Sequence, residues 1–309
     1  MTESNVVTNV VEKKPKTQNR TIAYLKVMIK DPSAVLGLVI VVAFLGWSII
    51  QGLLEVFFGT SGPAIVLLPH DPFKYNLVVG LHPPDRTYLL GTNANGEDIL
   101  SRMLYAMPRD AYISIIVVLS GVLLGGLFGI IAGYRGGYVD EVIMRITDAF
   151  LSLPALILVI ALSVLFHETL GGVILALVIV WWPIYARFFR AQTLRIKSLD
   201  FVQTAKLGNV SFAKLFFSYL FINSIDPVVA YAALDFGNVI LTYSTLAFLG
   251  IGLEPPIPEL GSMASNGVGT LPTGWWYAVF PGLAILIIVI GFVLVGDRMQ
   301  DIVSNRINY

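Results

Sequence analysis

Apolar residues in this chain are gathered into long uninterrupted blocks, separated by polar stretches that hold most of the charge. From Ser33 to Leu54 no ionisable side chain occurs. A bilayer core needs about 20 such residues at 1.5 Å each, so a first membrane-spanning helix is predicted there. Ala111 to Tyr134 gives a second, and residues 142–166 a third that is apolar apart from Arg145 and Asp148 near its start. Leu170 to Ala186 gives the fourth, Pro227 to Leu249 the fifth with one internal acid, Asp235, and Trp276 to Gly296 the sixth. An all-α, polytopic membrane protein with six transmembrane helices follows, and an even number of crossings puts both chain ends on one side.

The segments between the blocks divide into three pieces. Residues 1–32 are polar and lysine-rich, with no apolar run before Ser33, so no cleavable signal peptide is expected and this segment should stay cytoplasmic. Residues 58–110 start with Gly and Pro punctuation and turn helix-like at GEDILSRMLYAM, where Ile99, Leu100, Met103 and Leu104 share a face; a small outer cap is predicted. Residues 187–226 mix Arg187, Arg190, Arg195, Lys197, Lys206 and Lys214 with apolar residues and read as two short amphipathic helices around a turn at Gly208 and Asn209. The whole of 33–309 is then one six-helix domain.

Charge fixes the orientation. Of the 20 Lys and Arg, only Lys74, Arg86, Arg102 and Arg109 fall on the side of the 58–110 cap. Basic residues concentrate on the cytoplasmic side of membrane proteins, which places both termini and the 187–226 loop inside. Composition agrees: 56% of the 309 residues are apolar and 13% charged, far from the ~45–50% and ~25% of soluble domains. A formal net charge of zero argues against a nucleic-acid partner.

Several chemistries are excluded by what the chain lacks. With no cysteine there is no disulfide, thiolate nucleophile or Cys-ligated metal centre. The three histidines, His70, His82 and His167, stand far apart with no second ligand at helical spacing, so no metal site and no cofactor are expected. No G-x-x-x-x-G-K-[ST] loop is present to cradle nucleotide phosphates, so the chain carries no ATP motor of its own. An enzyme is not expected either, since no nucleophile and base recur on facing spans.

Four ordered blocks resemble one family. LLGTNANGEDILSRMLYAM (Leu89 to Met107) resembles LGTDxxGRDxLSRxxxG, and AGYRGGYVDEVIMRITDAFLSLP (Ala132 to Pro154) resembles AGYxGGxxDxxxMRxxDxxxxxP. The stretch from Trp182 to Ser211 resembles a W-x-x-x-AR-x-x-R segment running into an "EAA" loop, and LAFLGIGLEPPIPELGSM (Leu246 to Met263) resembles LSFLGLGxxPPxPxWGxM. These are the motifs of the C-type permease subunit of oligopeptide, dipeptide and nickel ATP-binding-cassette importers. There are departures. The E-A-A-x-x-x-G pattern reads Gln203, Thr204, Ala205 and then Asn209 at the glycine; H-x-x-P-N keeps only Asn223; Tyr243 replaces a usual Glu and Leu260 a usual Trp. Asn tolerates the left-handed conformation, so the turn at 209 can survive.

The resemblance implies a type I importer in which this subunit and a second related permease form the translocation path. Two cytoplasmic ATPase subunits bind beneath and an extracellular binding protein delivers substrate. Peptides are the expected cargo, with oligosaccharides the alternative; a different class, an ion-coupled secondary transporter, would require inverted repeats and paired broken helices that the sequence does not show. Phe201, Val202, Gln203, Thr204, Ala205, Lys206, Leu207, Gly208 and Asn209 would form the ATPase-coupling element, with apolar contact from Phe201, Val202, Leu207 and Phe212.

Within the membrane, Gly121, Gly125, Gly129 and Gly133 form a smooth stripe at i+4 spacing, expected to pack closely on another helix. Asp148 is expected to pair with Arg145 three residues earlier, with direct substrate contact as the alternative. Asp235, deep in span five with no cation in helical reach, is expected to face the translocation path together with Asn238; an interhelical hydrogen bond is the rival. Trp275 and Trp276 read as interfacial anchors, and Trp181 and Trp182 as a brace for the inner loop.

Overall fold

The computed structural model describes residues 27–59, 62–252 and 254–305, so most of the lysine-rich N-terminal segment, and Arg306 at the other end, lie outside the described residues. Helices account for nearly all regular structure among them, and the one β-type pairing is an isolated bridge between Thr92 and Asp98.

Helix α1 runs Pro32–Phe58. Asp31 caps it by accepting the Ser33 N–H at 3.0 Å, Pro32 supplies a preset φ at the first position, and Gly59 ends it at φ 65°. Helix α2, Ile99–Arg135, is 37 residues long. Its cap, Asp98, accepts the Ser101 N–H at 2.8 Å. At 1.5 Å per residue α2 extends roughly 55 Å, well beyond a ~30 Å hydrocarbon core. The helix that carries the second span therefore begins before Ala111: the helical part of the predicted cap is the first turns of the same rod.

The predicted third span is broken. Helices α3, Gly137–Leu151, and α4, Ala155–Leu165, meet at a 91° bend across Ser152, Leu153 and Pro154. Pro154 has no N–H to continue the ladder and disfavours helical backbone at Leu153, so the chain turns there. Helix α5, Leu170–Ile196, follows, capped by Thr169, and extends ten residues past the predicted end of the fourth span at Ala186.

After α5 comes a short helix α6, Asp200–Leu207, and then α7, Phe212–Phe248. The predicted second amphipathic helix of the 187–226 loop is thus the beginning of α7 itself, and the helix that carries span five starts well before Pro227. Leu215–Phe221 within α7 is a π-helical stretch, a local widening of the helix. Helix α8, Leu260–Val268, is a short piece before α9, Leu271–Asn305, which kinks at Gly274 and outlasts the predicted end at Gly296.

The helices enclose two apolar cores. One gathers side chains from α2, α4, α5, α6 and α7, including Val117, Val159, Tyr185, Val202 and Leu220. The other joins α1, the start of α2, α8 and α9 through Phe44, Met103, Met263 and Phe292. Helices α2 and α7 serve both, and Phe236 of α7 touches both. Outward-facing Leu36, Val39, Val42, Leu53, Leu119, Leu123 and Ile287 are exposed. Such a surface suits lipid, and the long apolar helices make this a multi-pass membrane protein.

The cap is tied to the bundle. Trp276 donates its indole N–H to the Thr92 carbonyl at 3.2 Å, and Arg102 pairs with Glu97 while donating to the Pro72 carbonyl at 2.8 Å. Trp276 is therefore buried and hydrogen-bonded rather than an interfacial anchor; Trp275, half exposed, keeps that option.

Candidate functional site

The α6 end of the bundle gathers the residues of the EAA-like block. Helix α6 stops through a backbone motif: the Asn209 N–H bonds to the Lys206 carbonyl at 3.0 Å and the Val210 N–H to the Ala205 carbonyl at 3.2 Å. This is the Schellman pattern, which needs a left-handed residue after the cap, and Asn209 takes φ 52°. Gly208, at φ −77°, is the cap.

The two faces of α6 differ. Val202 and Ala205 are buried against the first core, so Val202 is not available as a contact for another protein, contrary to expectation. Leu207 is 85% exposed, and Phe201 and Phe212 are 43% and 40% exposed. Lys206 lies over the Tyr134 ring at 5.0 Å and Phe201 stacks on Tyr219 at 6.3 Å, which fixes the helix to the ends of α2 and α7. Gln203 donates to the Lys197 carbonyl at 2.7 Å and Thr204 is exposed.

The glycine stripe of α2 lies against α5 of the same chain. A Cβ on Gly121 would lie 2.8 Å from the Tyr185 ring, one on Gly125 2.7 Å from the Ala186 nitrogen, one on Gly129 2.9 Å from Phe189 Cβ, and one on Gly133 2.9 Å from Thr193 Cβ. Backbone approaches backbone here, and only hydrogen fits.

Next to this groove sits Asp235, 3% exposed. It accepts the Trp181 indole N–H and the Tyr185 hydroxyl, both at 2.8 Å. Of the two expected roles the geometry is that of an interhelical hydrogen bond between α5 and α7, and the carboxylate does not line an open wall. The reason is that α5 continues to Ile196, which puts Trp181 in mid-helix opposite Asp235 and not beside the loop. Trp182 turns the other way, against Phe128 and Phe150. Asn238, one turn along α7, is exposed.

Asp148 does not pair with Arg145. Arg187 of α5 donates to it, while Arg145 faces Glu141 at 3.7 Å on its own helix. Arg190, also on α5, holds Asp140 with two bonds of 2.5 and 2.6 Å. Both pairs tie α3 to α5, because the bend at 152–154 lays α3 alongside the end of α5. In the sequence Arg187 and Arg190 look like loop charges, and the only hint of their partners is the shared i+3 spacing of arginines on one face.

At the opposite end a further group was not foreseen. Asp110 of α2, Tyr243 of α7 and Glu259, the cap of α8, are all buried. Glu259 accepts the Ser262 N–H at 2.8 Å, and its burial holds the carboxyl above the ordinary carboxylate range. No local pattern announces this group, since its three members come from three separate blocks.

The chain is 37% identical over 240 residues to a probable D,D-dipeptide transport system permease of Escherichia coli, covering 78% of this chain and 80% of that one. It is 30% identical over 272 residues to a dipeptide transport system permease of Alkalihalophilus pseudofirmus, covering 88% and 85%. It is 31% identical over 242 residues to a glutathione transport system permease of Pectobacterium atrosepticum, covering 78% and 76%. With residues 125–309 matching the family model and the identities above spanning most of its length, the chain belongs to the binding-protein-dependent transport system inner membrane components, the permease subunits of ATP-binding-cassette importers, and is a transport subunit rather than an enzyme.

Proposed function

We propose that this chain, with a second related permease, forms the translocation path of a peptide importer driven by two cytoplasmic ATPase subunits and supplied by an extracellular binding protein. The α6 end faces the cytoplasm in this reading, which the concentration of Lys and Arg on that side supports. The observation that carries the ATPase partnership is the exposed apolar tip of α6. Leu207 and Phe201 of α6, with Phe212 at the start of α7, present apolar surface to water, and α6 is already clamped from behind by Val202 and Ala205. A short helix with one buried face and one exposed apolar face suits a groove in another protein. Residues Phe201 to Asn209 then form the coupling element, less Val202, which holds it in place.

Peptide as cargo rests on the relatives, named for dipeptides and glutathione, and these favour peptides over oligosaccharides. Membership of a binding-protein-dependent family replaces the ion-coupled alternative. Asp148 and Asn238 are the proposed path residues, since both remain accessible while lying on helices of the span region. The test is reconstitution of the four-subunit complex in vesicles with its binding protein. Uptake of a labelled dipeptide that requires ATP and the binding protein is expected. Uptake driven by an ion gradient without ATPases, or recovery of only oligosaccharide from the binding protein, would overturn the reading.

A further inference from the structure

Of helices α1 to α9, α3 alone contributes, among the described residues, no side chain to either apolar core. Thr147 is its one buried residue, and the Thr147 hydroxyl donates to the Ile143 carbonyl of the same helix at 2.9 Å. Its side chains reach α5 through charge instead, Asp140 on Arg190 and Asp148 on Arg187, with Phe150 against the Trp182 ring near its end. The two acids stand eight residues apart, about 12 Å along the helix, so α3 is held at both ends. Asp148 and Arg187 are each 50% exposed and Arg190 is 34% exposed. Exposed ion pairs exchange for water at little cost, whereas parting an apolar seam exposes its whole area.

Each end of α3 also carries a joint. At its start Gly136 and Gly137 take left-handed backbone at φ 66° and 54°, and a Cβ on either would meet nothing within 4 Å, so glycine serves the backbone there and not close packing. At its end comes the 91° bend through Ser152, Leu153 and Pro154. The first joint adjoins the α6 tip: Arg135 lies over the Phe212 ring at 5.8 Å, and Lys206 over Tyr134 at 5.0 Å. A rod between two joints, fastened by charge alone, can move as a unit. We propose that α3 is a hinged strap, held by Arg187 and Arg190, which latches and unlatches as the ATPase subunits close and part, and which uncovers Asp148 at the α6 end of the translocation path when released. Arg187 and Arg190 are positioning residues, acting through α3 and not on the cargo. The strap rests on the transporter reading above, and its test separates the two.

Because the chain has no cysteine, Asp140→Cys combined with Arg190→Cys puts a single thiol pair across one latch. In vesicles holding the four-subunit complex, a short reducible bis-methanethiosulfonate should join the pair at rates that differ several-fold between the nucleotide-free complex and the complex held with ATP and vanadate. The joined complex should lose most of its uptake of labelled dipeptide and regain it with dithiothreitol, while each single-cysteine variant responds to neither reagent. Should the paired variant fail to assemble, Arg187→Gln decides: at unchanged subunit recovery and melting, it should import several-fold less peptide per ATP. An unaltered complex without ATP-driven uptake overturns the transporter reading, and the strap with it. With that uptake present, equal joining in both nucleotide states, uptake that survives joining, or undiminished import per ATP by Arg187→Gln overturns the strap alone.

Discussion

At the scale of single residues, Asn209 and Asp235 are constrained in different ways, one by its backbone and the other by its partners. Asn209 occupies left-handed backbone at φ 52°, a conformation that costs L-residues other than Gly and, less often, Asn or Asp roughly 1–2 kcal/mol. Asn209→Gly should therefore preserve the end of α6, and Asn209→Val should loosen it and lower recovery of the ATPase subunits on co-purification; equal recovery from both variants would contradict this. Asp235 is constrained by its partners. Asp235→Ala leaves the Trp181 N–H and the Tyr185 O–H without an acceptor, at about 1–3 kcal/mol for each group left unsatisfied. Asp235→Asn retains an acceptor and should lose less, as read from the melting of the complex. In this naturally cysteine-free chain, Asp235→Cys should also resist a water-soluble thiol reagent, because the position is closed between α5 and α7. Rapid labelling would return Asp235 to the path.

Between elements, the contact of α2 with α5 is the most extensive seam, and glycine makes it possible. Gly129→Ala places a methyl group against the Ala186 carbonyl and Phe189, with no flexible side chain to give way, and overpacking of this kind typically costs ~1–3 kcal/mol. Gly46 of α1 is the control: a Cβ there meets nothing within 4 Å, so Gly46→Ala should be neutral or stabilising by up to ~1 kcal/mol through its helix preference. Comparable melting of the two variants would mean that the stripe is not the close contact. That stripe was legible in the sequence because i+4 spacing alone puts four glycines on one face, and apolar blocks likewise announced where helices cross the bilayer. Their ends were not legible. Hydropathy falls where lipid ends, but helical hydrogen bonding does not, so α2, α5, α7 and α9 run on into their flanking segments. The break between α3 and α4 was written in Leu153 and Pro154 yet masked by the apolar residues on both sides. Pairings across helices, such as Arg187 with Asp148 or the Asp110, Tyr243 and Glu259 group, leave no local trace, because they depend on how separate rods are set side by side.

For the molecule as a whole, one rod connects the α6 tip to the interior. Helix α7 starts beside α6, passes through its π-helical stretch at Leu215–Phe221, and reaches Asp235, whose bonds hold α5. A stacked pair, Phe201 on α6 with Tyr219 in the π stretch, joins the tip to that rod. If an ATPase grips Leu207 and Phe201, its closure pulls on α7 through this stack, and α5 follows through Asp235. Two variants separate gripping from pulling. Leu207→Asp removes the exposed apolar tip, 85% of it open to solvent, and should weaken recovery of the ATPase subunits while membrane insertion stays normal. Tyr219→Ala leaves the tip intact but removes an aromatic contact worth ~0.5–1.5 kcal/mol. It should retain the ATPases and their hydrolysis yet lower the peptide imported per ATP consumed. Measured in vesicles, an unchanged ratio of uptake to hydrolysis for Tyr219→Ala would show that the force travels by another contact, with Lys206 over Tyr134 at the end of α2 as the next to break.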